Sequence, residues 1–144
     1  MTRRFTAHSP EETVELGRKI GSRLKEGDVI AFRGGLGAGK TTMTRGIALG
    51  MGLKDEVSSP TFALVNEYRG ALRLCHFDMY RITGASDLES TGFFDYLSDG
   101  CVIAIEWSEN IADELPDGCI VIEFTVIDGD RREITLIGDE RFDF

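Results

Sequence analysis

The chain has 144 residues, 42% of them hydrophobic and 28% charged, which suits one domain (residues 1–144) able to bury roughly two-thirds of its unfolded surface. No run approaches the ~20 apolar residues that span a bilayer, and Met1-Thr2-Arg3-Arg4-Phe5 lacks an apolar signal core, so neither membrane insertion nor export is expected. The net charge of -9 is lopsided: residues 1–72 carry +3 and residues 73–144 carry -12, a balance that argues against direct binding of a nucleic-acid backbone by the second part.

Phe5-Thr6-Ala7 reads as a possible first strand. Ser9-Pro10-Glu11-Glu12 then opens a helix, with Ser9 as N-cap, Pro10 at the first position and Glu12 completing a capping box. Thr13, Leu16, Gly17, Ile20, Gly21 and Leu24 form its small and apolar stripe, the pattern of a helix that covers a sheet. Asp28 to Arg33 is a short buried strand. Directly after it, Gly34-Gly35-Leu36-Gly37-Ala38-Gly39-Lys40-Thr41 fits the phosphate-loop pattern G-x-x-x-x-G-K-[ST], and Thr42 to Leu49 continue as a helix closed by Gly50 and Gly52. The composition serves the chemistry. Glycines let backbone N–H groups turn inward around an anion, and the helix N-terminus adds positive partial charge. Lys40, expected to be exposed, is placed to bridge the outer phosphates, and the Thr41 hydroxyl to ligate Mg²⁺.

Val57 to Phe62 is polar and broken by Pro60. Residues 62–68 and 72–78 read as a hairpin. Ser86-Asp87-Leu88-Glu89 is a second capping-box signature, opening a short helix toward Tyr96 and Leu97. Cys101 to Ile105 is a continuous apolar run, as in a central strand buried on both faces. Cys119 to Ile127 and Arg131 to Ile137 form a last hairpin around Asp128-Gly129-Asp130. Strands mixed with helices around a phosphate loop give an α/β expectation: a three-layer P-loop NTPase domain whose hairpins make the sheet mixed.

A phosphate loop needs a carboxylate at the end of a neighbouring strand to hold Mg²⁺. Asp78 and Glu106 both close apolar runs, and sequence does not divide the roles of metal ligand and water orienter between them. Thr61 is either a γ-phosphate sensor or a turn residue after Pro60. Trp107 is either beside the nucleotide or in the core. Arg81 is either a phosphate or partner contact or a surface pair. His76 is expected as a structural histidine with its hydrogen bonds satisfied, and neither His8 nor His76 has companions at metal-ligand spacing. Cys75, Cys101 and Cys119 are odd in number and sit in apolar runs, as buried thiols of a cytoplasmic protein. No Asn-Lys-x-Asp guanine motif occurs, which favours adenine.

Gly37-Ala38-Gly39-Lys40-Thr41-Thr42, Ser59-Pro60-Thr61-Phe62, His76-Phe77-Asp78-Met79-Tyr80-Arg81 and Ile105-Glu106-Trp107-Ser108-Glu109, with Asp87-Leu88-Glu89 and Gly92, together resemble the TsaE (YjeE) family of bacterial ATPases. The resemblance implies an ATP- and Mg²⁺-dependent subunit for threonylcarbamoyladenosine synthesis on tRNA, acting with the TsaD–TsaB transferase pair and meeting tRNA only indirectly. By matching position it implies that Gly35 to Thr42 hold phosphates, with Lys40 and Thr41 on phosphates and Mg²⁺. Asp78 and Glu106 would be the acidic residues of metal and hydrolysis, and Thr61 would lie in a nucleotide-responsive loop. Trp107 would lie near the nucleotide, with adenine contacts around Pro10 to Thr13 and near Arg132. Gly35 stands where members commonly carry Asp. A small-molecule kinase and a nucleotide-gated binding module with little turnover remain as other readings of the motif.

Overall fold

The structure is a computed structural model that describes residues 1–35, 39–54, 57 and 64–144. Leu36, Gly37, Ala38 and Thr61, all among the expected site residues, lie outside the described residues. One seven-stranded sheet organises the fold: β1 (Thr2–Ala7), β2 (Val29–Arg33), β3 (Val65–Tyr68), β4 (Leu74–Asp78), β5 (Val102–Glu106), β6 (Ile120–Asp128) and β7 (Arg131–Ile137). The order across it is β1-β7-β6-β2-β5-β4-β3. Strands β4, β5, β2 and β6 run parallel, whereas β3, β7 and β1 join by antiparallel ladders. The sheet is therefore mixed, as the two hairpins require.

Alternation along the parallel strands builds two cores. Ile30, Phe32, Leu74, Val102 and Ala104 join Leu16 and Ile20 of α1 (Pro10–Gly21) and Met43, Ile47 and Ala48 of α2 (Lys40–Gly50). Val29, Cys75, Phe77, Ile103 and Ile105 join Leu88 of α3 (Ala85–Glu89), Phe93 of α4 (Phe93–Leu97) and Ile111 of a 3-10 stretch, Ser108–Glu114. Helical cover on both faces gives three layers.

α1 begins as its sequence predicts, with Ser9 Oγ accepting from Glu12 N at 3.2 Å. It then packs backbone against backbone on α2. A Cβ at residue 17 would stand 2.5 Å from Met43 O, and one at residue 46 would stand 2.2 Å from Val14 O. At residues 21 and 50 the corresponding distances are 2.2 Å to Ile47 O and 2.1 Å to Arg18 O. Two small-residue stripes at i, i+4 spacing thus interlock, and only glycine permits it. Gly50 is thus both a contact with α1 and the last residue of α2. The helix stops there as its sequence predicts: Met51 is the C-cap, Gly52 follows at φ 77°, and Leu53 N donates to Ala48 O at 2.9 Å and Gly52 N to Leu49 O at 3.0 Å.

Two sequence expectations change. The region around Ser86 is two one-turn helices, α3 and α4, separated at Gly92, whose φ of 81° lies in the left-handed region. Its N-cap is Gly84, with no side-chain cap, so Ser86 falls inside the first turn instead of capping it, while Asp87 accepts from Thr83 Oγ1 at 2.7 Å. The first strand is longer than expected and pairs with β7 along its whole length, from Thr2 opposite Ile137 to Ala7 opposite Arg132. That pairing joins residues more than 120 apart, beyond local signals. The cysteines are free thiols. Cys75 and Cys101 are buried and Cys119 is half-buried; burial, with help from Cys101, pushes the Cys75 thiol up to about 12.

Candidate functional site

Open parallel sheets place their ligand sites outside the carboxyl ends of the strands. Here β2, β4 and β5 end together in Arg33, Asp78 and Glu106, and α2 starts at the same edge with Lys40. The β4–β5 ladder sets Asp78 directly opposite Glu106. Neighbouring strands lie about 4.8 Å apart, so the two carboxylates share one small volume.

Gly39 is the N-cap of α2 at φ 108°, a left-handed conformation that glycine alone takes without cost. Lys40 follows in the first turn, and it corrects the expectation of an exposed lysine: it is 5% exposed. Its Nζ donates to Gly34 O at 2.9 Å and lies 4.9 Å from the centre of the Trp107 ring. The lysine thereby ties the head of α2 to Gly34, just past the end of β2. Thr41 and Thr42 stand half-buried beside it, and Gly35 is exposed.

Trp107 supplies the third side. It is the one residue other than glycine with positive φ, 59°, among the described residues. Such a conformation costs on the order of 1–3 kcal/mol and needs support from its surroundings. Ser108 Oγ donates to Phe32 O at 2.8 Å, and Asn110 Nδ2 donates to Met79 O at 2.8 Å and Tyr80 O at 3.2 Å. These two side chains tie the segment after β5 to the ends of β2 and β4. The indole consequently faces Lys40, with the Tyr80 ring 5.0 Å away on its own account. Ser108 belonged to a quoted motif without a role, and Asn110 was missed; the signal for both was their position just past Glu106.

Asp78 Oδ1 accepts from Tyr80 N at 2.9 Å, which turns the chain sharply after β4. Glu106 is 8% exposed, and its Oε2 lies 2.7 Å from Nε2 of the fully buried His76. The contact is close but bent: neither ring nitrogen of His76 nor Oε2 of Glu106 has an aligned hydrogen-bond partner among the described residues. The expected satisfied histidine is thus a buried, unsatisfied one. Arg81 is exposed, and Arg45 Nε donates to Val57 O at 3.3 Å.

The N-terminal strip and the last hairpin, far apart in sequence, meet at the head of α2. Pro10, Thr13, Gly39, Thr42, Asp130 and Arg132 line one cleft. Among the expected site residues that are described, the structure thus forms two adjoining groups: Lys40, Asp78, Glu106 and Trp107 in one, Thr13, Gly39, Thr42 and Arg132 in the other. The donor set suits Mg²⁺, a hard cation that uses one or two protein carboxylates and completes its shell with water and phosphate oxygens. Glu106, 8% exposed and directly opposite Asp78 at this edge, fits such a ligand through the oxygen that does not face His76. Among the described residues no group of three or more His, Cys, Asp or Glu forms a self-sufficient metal cage. Nor is any described helix long and apolar enough to cross a membrane.

A family model described as "Threonylcarbamoyl adenosine biosynthesis protein TsaE" matches residues 7–134. The chain is 38% identical over 133 residues to the tRNA threonylcarbamoyladenosine biosynthesis protein TsaE of Treponema pallidum, covering 92% of this chain and 98% of that protein. To the protein of the same name from Bacillus subtilis it is 40% identical over 129 residues, covering 89% and 80%. The crystal structure of Bacillus subtilis YdiB matches with a TM-score of 0.82 at 32% identity, over 99% of this chain and 90% of that one. The fold is accordingly that of a P-loop NTPase.

Proposed function

The chain belongs to the TsaE family of threonylcarbamoyladenosine biosynthesis proteins, and from that premise we propose that residues 1–144 act as one ATP-binding and ATP-hydrolysing domain serving this modification of tRNA. The observation that carries the reading is the meeting of Lys40, Asp78 and Glu106 at the carboxyl edge of β2, β4 and β5.

On ATP entry, Lys40 exchanges the Gly34 carbonyl for a phosphate oxygen, and the ring of Trp107 limits where its ammonium goes. The hydroxyl of Thr41 and the carboxylates of Asp78 and Glu106 would hold Mg²⁺ and orient the attacking water. The chemistry expected of the bound ion is neutralisation of charge on the transferring phosphoryl group. Backbone N–H groups at the head of α2 hold phosphates, while Thr13 and Arg132 stand where a nucleoside would extend into the cleft beside Gly39. Thr61, on the segment after α2, is the residue we assign to sensing the γ-phosphate.

Hydrolysis by the isolated chain is slow in this reading, because no described arginine is placed as a finger and such an arginine is worth roughly 10³–10⁵ in rate. A transferase pair like TsaD–TsaB completes the site or uses its closure. The -12 balance of residues 73–144 supports contact with tRNA through that pair, since repulsion keeps a phosphate backbone away. Steady-state ATPase, with and without Mg²⁺, is measured for the chain alone, with tRNA, with the transferase pair and with both. Acceleration by the pair is expected. Fast turnover alone, or tight salt-sensitive binding of free tRNA, overturns the reading.

A further inference from the structure

Along β4 and β5 the face toward α1 and α2 carries Leu74, Val102 and Ala104, all buried and apolar. His76 interrupts that face, and it is fully buried. Its cross-strand partner is Ala104, whose small side chain leaves room above it. The imidazole uses that room to reach one strand across and two residues on, to Glu106. Both ring nitrogens and Glu106 Oε2 are then left without aligned partners among the described residues. A buried polar atom without a partner costs on the order of 1–3 kcal/mol, and an apolar side chain of similar volume avoids that cost. Packing therefore gives no reason for histidine at this position. The adjoining carboxylate does.

We propose that His76 is the positioning residue for Glu106. It donates from Nε2–H to Oε2 and so aims the carboxylate, leaving Oε1 for the site. Both partners end in sp³–sp² torsions, which are soft, so straightening a contact already at 2.7 Å needs little movement. In this role the imidazole presents an N–H from Nε2 to the carboxylate. The proposal rests on the ATPase reading above and adds the residue that aims one of its two carboxylates.

The test compares wild type with His76→Phe and His76→Gln in ATP hydrolysis, with the transferase pair present, and in melting temperature. His76→Phe should lower kcat about 10–100-fold, the scale of losing a supporting hydrogen bond to a ligand. KM for ATP should move less than about threefold, because phosphate binding by the loop is untouched. His76→Gln, which keeps an N–H donor, should recover most of kcat. The melting temperature of His76→Phe should stay level or rise, which a purely structural histidine would not allow. Wild-type kcat in both variants, or equal losses in both, overturns the proposal.

A second measurement does not depend on turnover. In the ¹⁵N-histidine NMR spectrum, Nε2 of His76 should carry the proton, and its signal should shift in Glu106→Gln and on adding Mg²⁺ with a non-hydrolysable ATP analogue. An Nε2 without its proton overturns the pairing. If wild type hydrolyses no ATP under any condition, the ATPase reading falls and the NMR result alone decides the His76–Glu106 contact.

Discussion

Replacing Gly46 by alanine tests whether direct backbone contact governs how α1 and α2 pack. The new Cβ would stand 2.2 Å from Val14 O and 3.0 Å from Gly17 Cα. An ordinary contact needs about 3.5 Å, so the helices must part by roughly 1 Å. A gap of that size along Leu16, Ile20, Met43 and Ile47 forfeits about a quarter to a half of each dispersion contact across it. Overpacking typically costs about 1–3 kcal/mol, and an obstacle made of backbone, which cannot rotate away, puts Gly46→Ala at the upper end. The better helix propensity of alanine offsets about 1 kcal/mol. About 2 kcal/mol of destabilisation remains, or a fall of about 4–8 °C in melting temperature for a chain of this size. Thermal unfolding followed by circular dichroism measures it. The same crossing holds Gly17, whose Cβ would meet Gly46 Cα at 3.0 Å, so the double variant should lose less than the sum of the singles. A melting temperature for Gly46→Ala at or above wild type refutes the argument, since propensity would then outweigh the crossing.

Three further outcomes follow from the site. Lys40→Met keeps the aliphatic stem under Trp107 and should weaken binding of a fluorescent ATP analogue at least about tenfold, the ratio that a loss of 1.4 kcal/mol gives; unchanged affinity removes the lysine from the site. Asp78→Asn and Glu106→Gln should slow single-turnover phosphate release more than they weaken binding, and Asn retains the oxygen that accepts from Tyr80 N, so the turn survives. Unchanged rates in both variants would take the carboxylates out of the mechanism. Gly35→Asp restores the carboxylate common in the family; a Cβ there meets nothing within 4 Å, so the melting temperature should hold while the Mg²⁺ dependence of hydrolysis shifts. A large loss of stability would show that the site lacks the room.

The phosphate loop, its flanking strand and helix, and the two strand-ending carboxylates were legible because each is a local pattern: a glycine spacing, an apolar run, an acid at its end. Thr13 and Arg132 were reachable only through the family resemblance, since the cleft that joins them exists only once β7 is paired with β1 and β6. The capping box at Ser86 failed because the helix starts two residues earlier, with Gly84 as its N-cap, which puts Ser86 inside the first turn. Gly50 and Gly52 were legible as the end of α2, but the second use of Gly50 was not, because a glycine that ends a helix and one that lets two helices touch are the same letter. His76 read as satisfied because period-two patterning places a side chain on a face without giving its hydrogen-bond geometry.

The interlocked glycines of α1 and α2 also set a gauge. Pro10 and Thr13 belong to one helix, Gly39 and Thr42 to the head of the other, and the cleft between them has walls that cannot slide without lifting four backbone contacts apart. A ligand anchored by its phosphates at the head of α2 is therefore measured against a fixed span before it reaches Thr13. Selection by length would then be written into the helix crossing, and a mutation in that crossing, well away from any ligand atom, would change which ligands fit.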